Sequence, residues 1–280
     1  MQTEDIRVKV QVAGYAASMS QHNCGDPAAP TILALHGFSG SGKDFDPLRL
    51  ALGSTVSWIC PDFMGHGESE APEVLDPYRL PAVLSLIDQA RSMAHDPGNI
   101  LLLGYSMGGR LALHYLRYAK AMPALLIGAS PGLQDATERA QRRQSDQEWI
   151  RRLDVSVEHF CNDWEMQPLI VPQTLIEEPF RSQLASRRRG NRKVGLQNAL
   201  LAGGTGVLPS LWHHLSELPS ISLCHGSEDG KFRETANRMQ AAHAGFTVHE
   251  LPDSGHSPHL ENPKAMASLI SGELDSPLYR

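Results

Sequence analysis

The pattern Gly-X-Ser-X-Gly at residues 104–108 places Ser106 between an apolar run and a helical pattern. A strand that turns sharply into a helix holds such a serine in a strained backbone conformation, and the flanking glycines remove side chains that would clash there. The hydroxyl is then exposed at the carboxyl end of the strand, where the helix N-terminus can stabilise negative charge. The pattern therefore predicts that Ser106 is a nucleophile or a base.

A reactive serine needs a base, and the base needs a carboxylate that orients it. His256 follows the last predicted strand in "DSGHSPHLENP", and Asp229 follows the preceding strand in "CHGSEDGKF". His259 competes with His256, and Glu228 competes with Asp229. We favour His256 because a Gly-His pair directly follows the strand, and Asp229 because the shorter carboxylate suits the turn. The predicted chain order is therefore serine, aspartate, histidine.

Two backbone amides are expected to face this serine. Phe38 follows an early apolar run in "LHGFSG", and Met107 begins the helical pattern after Ser106. Their N–H groups can bind negative charge that develops on a substrate oxygen, so we predict that they form an oxyanion hole. His36 and His66 lie in glycine-bounded turns, and we interpret both as structural.

The hydrophobic pattern predicts the strands and helices that position these residues. An alternating run at 6–12 predicts a half-exposed antiparallel edge strand. Short apolar runs then alternate with helical patterns, which predicts a mostly parallel, doubly wound α/β sheet. The predicted strands of this sheet are 31–37, 55–62, 99–106, 123–130, 220–226 and 246–253.

The alternation breaks off between the strands at 123–130 and 220–226. The intervening sequence has helical patterns, many arginines and no convincing buried strand. We therefore predict that residues 132–215, called the cap segment below, form a helical cap. Residues 1–131 and 216–280 are predicted to form the core domain.

Composition excludes several classes of protein. A formal net charge of −6 and a pI near 6.1 argue against a nucleic-acid-binding or anionic-membrane surface. The N-terminus is acidic and lacks the apolar region of a signal peptide, and no run approaches the length of a membrane span. The four cysteines are scattered without metal-ligand spacing, which favours a reducing cytoplasm. The sequence contains neither a nucleotide-binding loop motif nor a cluster of metal-ligand residues, so we expect no cofactor and no metal.

Several segments resemble those of a family within the α/β-hydrolase superfamily, the 2-succinyl-6-hydroxy-2,4-cyclohexadiene-1-carboxylate synthases of menaquinone biosynthesis. The resemblance runs from about residue 31 to 272 and includes the cap segment, which α/β-hydrolases share least. The segments that carry it are "GYSMGGRLAL", "SPGLQ", "ERAQRRQSDQEW", "DWEMQP", "TGVLPSLWHHL", "SEDGKFR" and "GHSPHLENP". The resemblance implies an α/β-hydrolase fold.

It also implies a reaction. Members of this family remove pyruvate from a cyclohexene that bears several carboxylates, so Ser106 would act as a base on a ring carbon, with His256 and Asp229 setting its basicity. A small anionic substrate is the implied partner. The residues on substrate-contacting motif positions are Tyr105, Arg110, Arg142, Trp164 and Arg188. Arg187 and Arg189 adjoin the last of these and remain alternatives to it.

Other activities use the same set of residues. A carboxylesterase or C–C bond hydrolase would need the same serine, histidine and aspartate, and would attack a carbonyl through an acyl-enzyme. A non-enzymatic receptor of this fold is disfavoured by the intact set. A dehalogenase or epoxide hydrolase is disfavoured more strongly, because it needs a carboxylate at position 106. Convergence of three arginines on the pocket would favour a polyanionic substrate. Oligomeric state is not indicated by the sequence.

Overall fold

One sheet runs through the described part of the chain and positions the candidate site. The structure is a computed structural model that describes residues 5–118 and 122–276. The strands within those residues are Asp5–Val12 (β1), Tyr15–His22 (β2), Thr31–Leu35 (β3), Ser57–Pro61 (β4), Ile100–Tyr105 (β5), Ala124–Ile127 (β6), Ser222–Gly226 (β7) and Thr247–Leu251 (β8). Their spatial order is β1-β2-β4-β3-β5-β6-β7-β8. Neighbouring strands from β4 to β8 in this order are parallel. Strand β2 pairs antiparallel with both of its neighbours, β1 and β4.

The central strands are buried along their whole length. Every residue of β3 and β5 is buried, as expected for parallel strands that helices cover on both faces. Successive side chains of a strand point to opposite faces. Leu33 and Leu102 accordingly pack into one apolar cluster, whereas Ile32 and Leu101 pack into another. The sheet therefore separates two hydrophobic cores, and this packing holds its strand ends in place.

Helices cover both faces of the sheet. The α-helices of the described residues are Asp46–Leu52 (α1), Leu80–Ser92 (α2), Met107–Tyr118 (α3), Ala136–Val155 (α4), Val157–Glu165 (α5), Phe180–Arg189 (α6), Lys193–Gly203 (α7), Gly230–Ala242 (α8), Pro258–Glu261 (α9) and Pro263–Leu274 (α10). Buried side chains of α2, α3 and α8 join the cluster that contains Leu33, and those of α1 and α10 join the other. This arrangement confirms the predicted doubly wound α/β sheet.

Strand β2 is the correction to the predicted sheet. The hydrophobic pattern predicts an edge strand at 6–12 but does not predict its partner at Tyr15–His22. A two-residue turn of Ala13 and Gly14 joins β1 to β2, and both residues have positive φ values of 50° and 85°. Such turns match the twist of a hairpin. Small and polar residues dominate "YAASMSQH", so its hydrophobic pattern does not indicate a strand.

The cap segment contains helices α4 to α7. Among the described residues, no strand lies between Ile127 and Ser222. Four buried side chains of α4, α5 and α7 form a small apolar cluster, which consists of Leu153, Phe160, Cys161 and Leu196. Phe38, from the loop after β3, packs against this cluster. The cap helices therefore contact a loop of the core that carries a predicted site residue.

Residues 1–4, 119–121 and 277–280 of the predicted core lie outside the described residues. In the ranges that are described, no helix is long and apolar enough to cross a membrane.

Candidate active site

Ser106 is the single residue between β5 and α3. Its φ of 51° lies in the left-handed region, which costs an L-residue about 1–2 kcal/mol. Two backbone hydrogen bonds hold this conformation: its N–H donates to the Ile127 carbonyl at 2.8 Å, and its carbonyl accepts from the Arg110 N–H at 3.0 Å. The side chain is partly exposed. This strained backbone conformation therefore presents the Ser106 hydroxyl at the end of β5.

The glycine at position 108 allows α3 to begin where it does. A Cβ atom built there would overlap the backbone of Leu35 and would lie 2.7 Å from the His36 carbonyl oxygen. Both of these contacts are with backbone at the end of β3, so a flexible side chain could not relieve them. The first turn of α3 therefore touches β3 directly.

The structure brings Ser106, His256 and Asp229 together. His256 Nε2 lies 3.0 Å from Ser106 Oγ, and its Nδ1 lies 2.7 Å from Asp229 Oδ2. A carboxylate only accepts, so Nδ1–H donates to Asp229 and Nε2 is left to accept from the serine hydroxyl. Asp229 and His256 are each only 4% exposed. This is the geometry of a serine activated by an oriented imidazole.

Backbone groups hold the two partners of the serine in place. Asp229 Oδ1 accepts from the Phe232 N–H at 3.1 Å, which leaves Oδ2 for the histidine. Gly128, after β6, has a φ of 54°, and a Cβ there would lie 2.6 Å from His256 Cε1. Position 128 therefore has to be glycine for the imidazole to occupy its place.

The competing residues from the sequence lie elsewhere. Glu228 is exposed, whereas Asp229 is buried against the imidazole. His259 is fully buried, its ring 4.4 Å from the Tyr105 ring, and burial lowers the pKa of His259 to about 3. A neutral, enclosed imidazole of this kind belongs to the core.

The two predicted amide donors lie at the ends of β3 and β5. Met107 begins α3, so its N–H has no acceptor within the helix. The N–H of Phe38 donates to no acceptor among the described residues. Both amides are thus free for a substrate oxygen. His36 links this loop to its neighbour, because its Nδ1–H donates to the Gly37 carbonyl and its Nε2 accepts from the Phe63 N–H.

His66 is also structural. Its Nδ1–H donates to the Met64 carbonyl at 3.1 Å, and burial lowers the pKa of His66 to about 3. It lies edge-on to Phe38, with their ring centroids 5.7 Å apart. These contacts agree with the interpretation of His66 as a residue that shapes a turn.

Tyr105 and Arg188 are linked by a chain of buried polar groups. The Tyr105 hydroxyl is 2.6 Å from Ser257 Oγ, which also accepts from Gln173 Nε2 at 2.7 Å. Gln173 Oε1 in turn accepts from Arg188 Nη2 at 2.9 Å. This chain crosses from the core to the cap segment and includes the residue that follows His256.

Among the three consecutive arginines, Arg188 faces inward. Arg188 is only 6% exposed, and its buried Nε has no hydrogen-bond partner within the described residues. Arg188 Nη1 also lies 3.3 Å from Glu165 Oε1, a carboxylate that it shares with Arg189 at 2.7 Å, whereas Arg187 pairs with Asp44 at 2.9 Å. Burial therefore distinguishes Arg188 from its two neighbours, because Arg187 and Arg189 are more exposed.

Arg110 is a half-buried cation without an ion-pair partner in the described part of the chain. Its guanidinium donates to Thr205 Oγ1 at 2.7 Å and to the Gly203 carbonyl at 3.2 Å. Burial, and next the charge of Arg142, lower the pKa of Arg110 to about 10, while Asp146 opposes this. An anion bound beside Arg110 would relieve the cost of burying its charge.

Arg142 stands next to this cation. Its Nε donates to Asp146 Oδ1 at 2.8 Å, and the second carboxylate oxygen of Asp146 is buried without a hydrogen-bond partner among the described residues. The positive charge of Arg142 also lowers the pKa of Lys231, after the larger effect of burial, whereas Asp229 raises it. Arg142 is therefore within electrostatic reach of both Arg110 and Lys231, and Lys231 is within reach of Asp229.

Trp164 lies at the boundary between the cap segment and the loop that carries Phe38. Its ring centroid is 5.4 Å from that of Phe38, and its ring stacks on Phe160 with the centroids 5.4 Å apart. The indole Nε1–H is buried and has no hydrogen-bond partner among the described residues. Trp164 therefore belongs to the small apolar cluster of the cap segment and keeps one free donor.

Sequence reasoning missed four polar residues of this region: Asp146, Gln173, Lys231 and Glu261. Asp146, Lys231 and Glu261 had a signal, because all three stand in segments that carry the family resemblance. Gln173 lies outside those segments, and its contact with Ser257 joins distant parts of the chain. In the described ranges, no group of three or more His, Cys, Asp or Glu side chains is arranged to hold a metal ion.

Comparison with known proteins agrees with this fold. The model of the alpha/beta hydrolase family matches residues 32–269. A 2-succinyl-6-hydroxy-2,4-cyclohexadiene-1-carboxylate synthase of Salmonella paratyphi C is 32% identical over 261 residues, which cover 90% of this chain and 96% of the relative. A Bacillus subtilis protein, for which the same activity is proposed, is 32% identical over 260 residues, covering 90% of this chain and 93% of that protein.

A solved structure shares the architecture as well. MenH from S. aureus superposes with a TM-score of 0.81 at 26% sequence identity, over 91% of this chain and 97% of that one. The family model and the synthase relatives both extend across the core and the cap segment. This chain therefore belongs to the alpha/beta hydrolase family and, within it, to the 2-succinyl-6-hydroxy-2,4-cyclohexadiene-1-carboxylate synthases.

Proposed function

We propose that this protein eliminates pyruvate from a carboxylated cyclohexene and so forms 2-succinyl-6-hydroxy-2,4-cyclohexadiene-1-carboxylate. The observation that carries the proposal is the half-buried Arg110, one turn of α3 after a serine that is hydrogen-bonded to an oriented histidine. The Arg110 guanidinium pairs with no carboxylate of the described chain, and its backbone N–H donates to the Ser106 carbonyl. An esterase for neutral substrates has no use for such a cation, because burying an unpaired arginine is costly.

In this mechanism Ser106 removes a proton from a ring carbon. His256 Nε2 accepts the serine proton as Oγ takes up the ring proton, and Asp229 stabilises the imidazolium through the Nδ1–H bond. The electron pair of the broken C–H bond shifts through the ring and breaks the C–O bond to the leaving group. The leaving group departs as the enolate of pyruvate, and its methylene carbon takes up a proton to give pyruvate, which balances the proton removed from the ring. The ring gains one double bond, and no acyl-enzyme is required.

Negative charge develops on the substrate during proton removal. The N–H groups of Phe38 and Met107 are proposed to stabilise that charge, since both are free of other acceptors in the described chain. The donors are fixed in the fold before the reaction begins, so no reorganisation is needed when the charge appears.

Substrate carboxylates are proposed to bind the cap-side cations. A guanidinium binds a carboxylate through two parallel hydrogen bonds, which fixes its orientation as well as its charge. Arg110, Arg142 and Arg188 are the proposed contacts, together with Trp164 and Tyr105 as walls of the pocket. The buried and unpartnered nitrogens of Arg110, Arg188 and Trp164 support this assignment.

We also propose that residues 132–215 serve as a cap that supplies substrate contacts, and that residues 1–131 with 216–280 form the catalytic core. The four cysteines are free, and three of them are buried, which supports action in a reducing cytoplasm.

The deciding experiment supplies two substrates in parallel. Incubation with the carboxylated cyclohexene should release pyruvate, detected with lactate dehydrogenase, whereas p-nitrophenyl esters should be hydrolysed slowly. Ser106→Ala serves as the control for background elimination. Fast ester hydrolysis without pyruvate would overturn the proposal and would identify a carboxylesterase of the same family.

A further inference from the structure

His256 lies in a segment that no helix or strand holds. β8 ends at Leu251 and α9 begins at Pro258, so the imidazole projects from the connection between them. Its position relative to Ser106 decides whether a proton can be transferred, and a misplacement of about 1 Å can cost a hundredfold in rate. Something outside this segment must therefore fix the backbone on both sides of His256.

Glu261 fixes both sides at once. This residue ends α9, and its carboxylate turns back towards the connection. Oε1 accepts from the Ser257 N–H at 3.0 Å, and Oε2 accepts from the Gly255 N–H. The two amides belong to the residues immediately before and after His256. One carboxylate thus binds the backbone on each side of the imidazole.

The charge of Glu261 also reaches the imidazole. Burial holds the pKa of Glu261 above its usual value, and Glu228, before α8, adds to this, whereas the two amide hydrogen bonds and His256 oppose it. The charge of Glu261 also raises the pKa of Tyr105, at the end of β5, after the larger effect of burial. Glu261 and His256 therefore interact electrostatically as well as through the backbone.

We propose that Glu261 is a positioning residue for His256: its carboxylate fixes the amides on both sides of the imidazole, and its negative charge stabilises the imidazolium that forms when Ser106 is deprotonated. The inference rests on the part of the proposed function that makes His256 the base. It does not depend on which substrate the protein converts, because an esterase would use the same histidine.

Two variants separate the position of His256 from the charge beside it. Glu261→Gln keeps the shape and removes the charge, and its amide group can accept from only one of the two N–H groups. Glu261→Asp keeps the charge but is one methylene shorter, so it cannot reach both amides. Glu234→Gln is the matched control, because it removes one negative charge at an exposed position of α8.

We expect Glu261→Gln to lower kcat by about tenfold to a hundredfold with little change in KM, because the base is displaced while the substrate contacts remain. The acidic limb of its pH–rate profile should move to lower pH. The sign follows from the lost charge: without the nearby carboxylate, the imidazolium is less stable and forms only at lower pH. Glu261→Asp should lower kcat while leaving the acidic limb in place.

A spectroscopic readout keeps this test separate from the reaction. The far-downfield proton resonance of His256 Nδ1–H reports its bond to Asp229 in the resting enzyme, and its pH midpoint should shift in Glu261→Gln but not in Glu234→Gln. If the wild type releases no pyruvate, the proposed function fails, and the Glu261 test is read from this resonance and from ester hydrolysis. Wild-type kcat and an unshifted limb in Glu261→Gln would overturn the inference. It is also wrong if both Glu261 variants fail to fold, because Glu261 then serves only the fold.

Discussion

Ser106 meets two demands that oppose each other. Its hydroxyl must reach His256, which requires the sharp turn after β5, and the same turn places an L-residue at a φ of 51°. A residue without a Cβ would adopt this conformation at no steric cost. The stability of the fold and the reactivity of the site therefore place different requirements on one position.

Two substitutions at this position should separate those requirements. Ser106→Ala and Ser106→Gly should both lose several powers of ten in kcat, because neither offers a hydroxyl. Ser106→Gly should nevertheless be more stable than Ser106→Ala by about 0.5–1 kcal/mol, since glycine is not strained in the left-handed region. Urea denaturation of both variants measures the difference. Near-normal turnover in Ser106→Ala would contradict the proposed role of the serine.

Arg110 illustrates how geometry can matter more than charge. Arg110→Lys keeps one positive charge but cannot form two parallel hydrogen bonds to a carboxylate. We expect kcat/KM for the carboxylated cyclohexene to fall by about tenfold to a hundredfold, on the scale of charged hydrogen bonds. Hydrolysis of a neutral p-nitrophenyl ester should change much less.

The control for this prediction lies on the same helix. Arg117, which pairs with Glu217 at 3.0 Å, also belongs to α3 but contacts no residue of the site. Arg117→Lys should leave both activities nearly unchanged. Equal losses on both substrates in Arg110→Lys would show that Arg110 supports the fold rather than the substrate.

At the scale of elements, the contact between α3 and β3 carries the most stringent requirement. Gly108→Ala should destabilise the protein by about 2–3 kcal/mol, because its Cβ would overlap the backbone at Leu35 and His36. Thermal unfolding followed by circular dichroism measures this effect. Gly272→Ala is the control: it lies in α10 with open space around it, and should stabilise the protein by up to about 1 kcal/mol.

The elements also show what can be predicted from sequence and why. Ser106, Asp229 and His256 each follow a strand of a parallel sheet, and the carboxyl ends of such strands share one edge. Their proximity in space therefore follows from the strand pattern alone. The fold class was also predictable, because alternation of strands and helices is a local signal in the sequence.

The supporting residues could not be predicted in this way. Gln173 contacts Ser257 across 84 positions of the chain, and its role appears only when the cap segment is packed on the core. Glu261 is closer in sequence, but its two hydrogen bonds depend on how α9 folds back on the connection. Strand β2 was missed because pairing with β1 and β4, rather than its own composition, makes it a strand.

At the scale of the whole molecule, local and net charge oppose each other. The chain has a formal net charge of −6, yet the proposed site contains the cations Arg110, Arg142 and Lys231. An anionic substrate is repelled at long range and attracted at short range. Within about a Debye length of the site, roughly 10 Å at 0.1 M salt, the nearby cations dominate.

Salt should therefore slow the reaction of the anionic substrate. We expect kcat/KM for the carboxylated cyclohexene to fall several-fold as sodium chloride is raised to about 0.5 M, because the attraction of the cations is screened. Hydrolysis of a neutral ester should stay nearly constant over the same range. A rise of kcat/KM with salt would mean that repulsion by the net charge controls binding.

The attachment of the cap segment to the core is also a property of the whole molecule. Asn191 Nδ2 donates to the Ser39 carbonyl at 2.8 Å, and its Oδ1 accepts from the Gly67 N–H at 3.2 Å. Arg187 pairs with Asp44 from the same side. These contacts join the cap segment to the loop that follows Phe38, so the cap helices and the oxyanion donors are held in one arrangement.

The position of Gly128 has a consequence for protein engineering. Its missing side chain makes room for the imidazole, as those of Gly37 and Gly108 make room for Tyr105 and for the end of β3. A mutant library designed for new substrates should leave these three codons unchanged. Arg142, Trp164 and Arg188 lie instead on helices of the cap segment. Directed evolution can exchange side chains there without altering the turns that hold Ser106, Asp229 and His256.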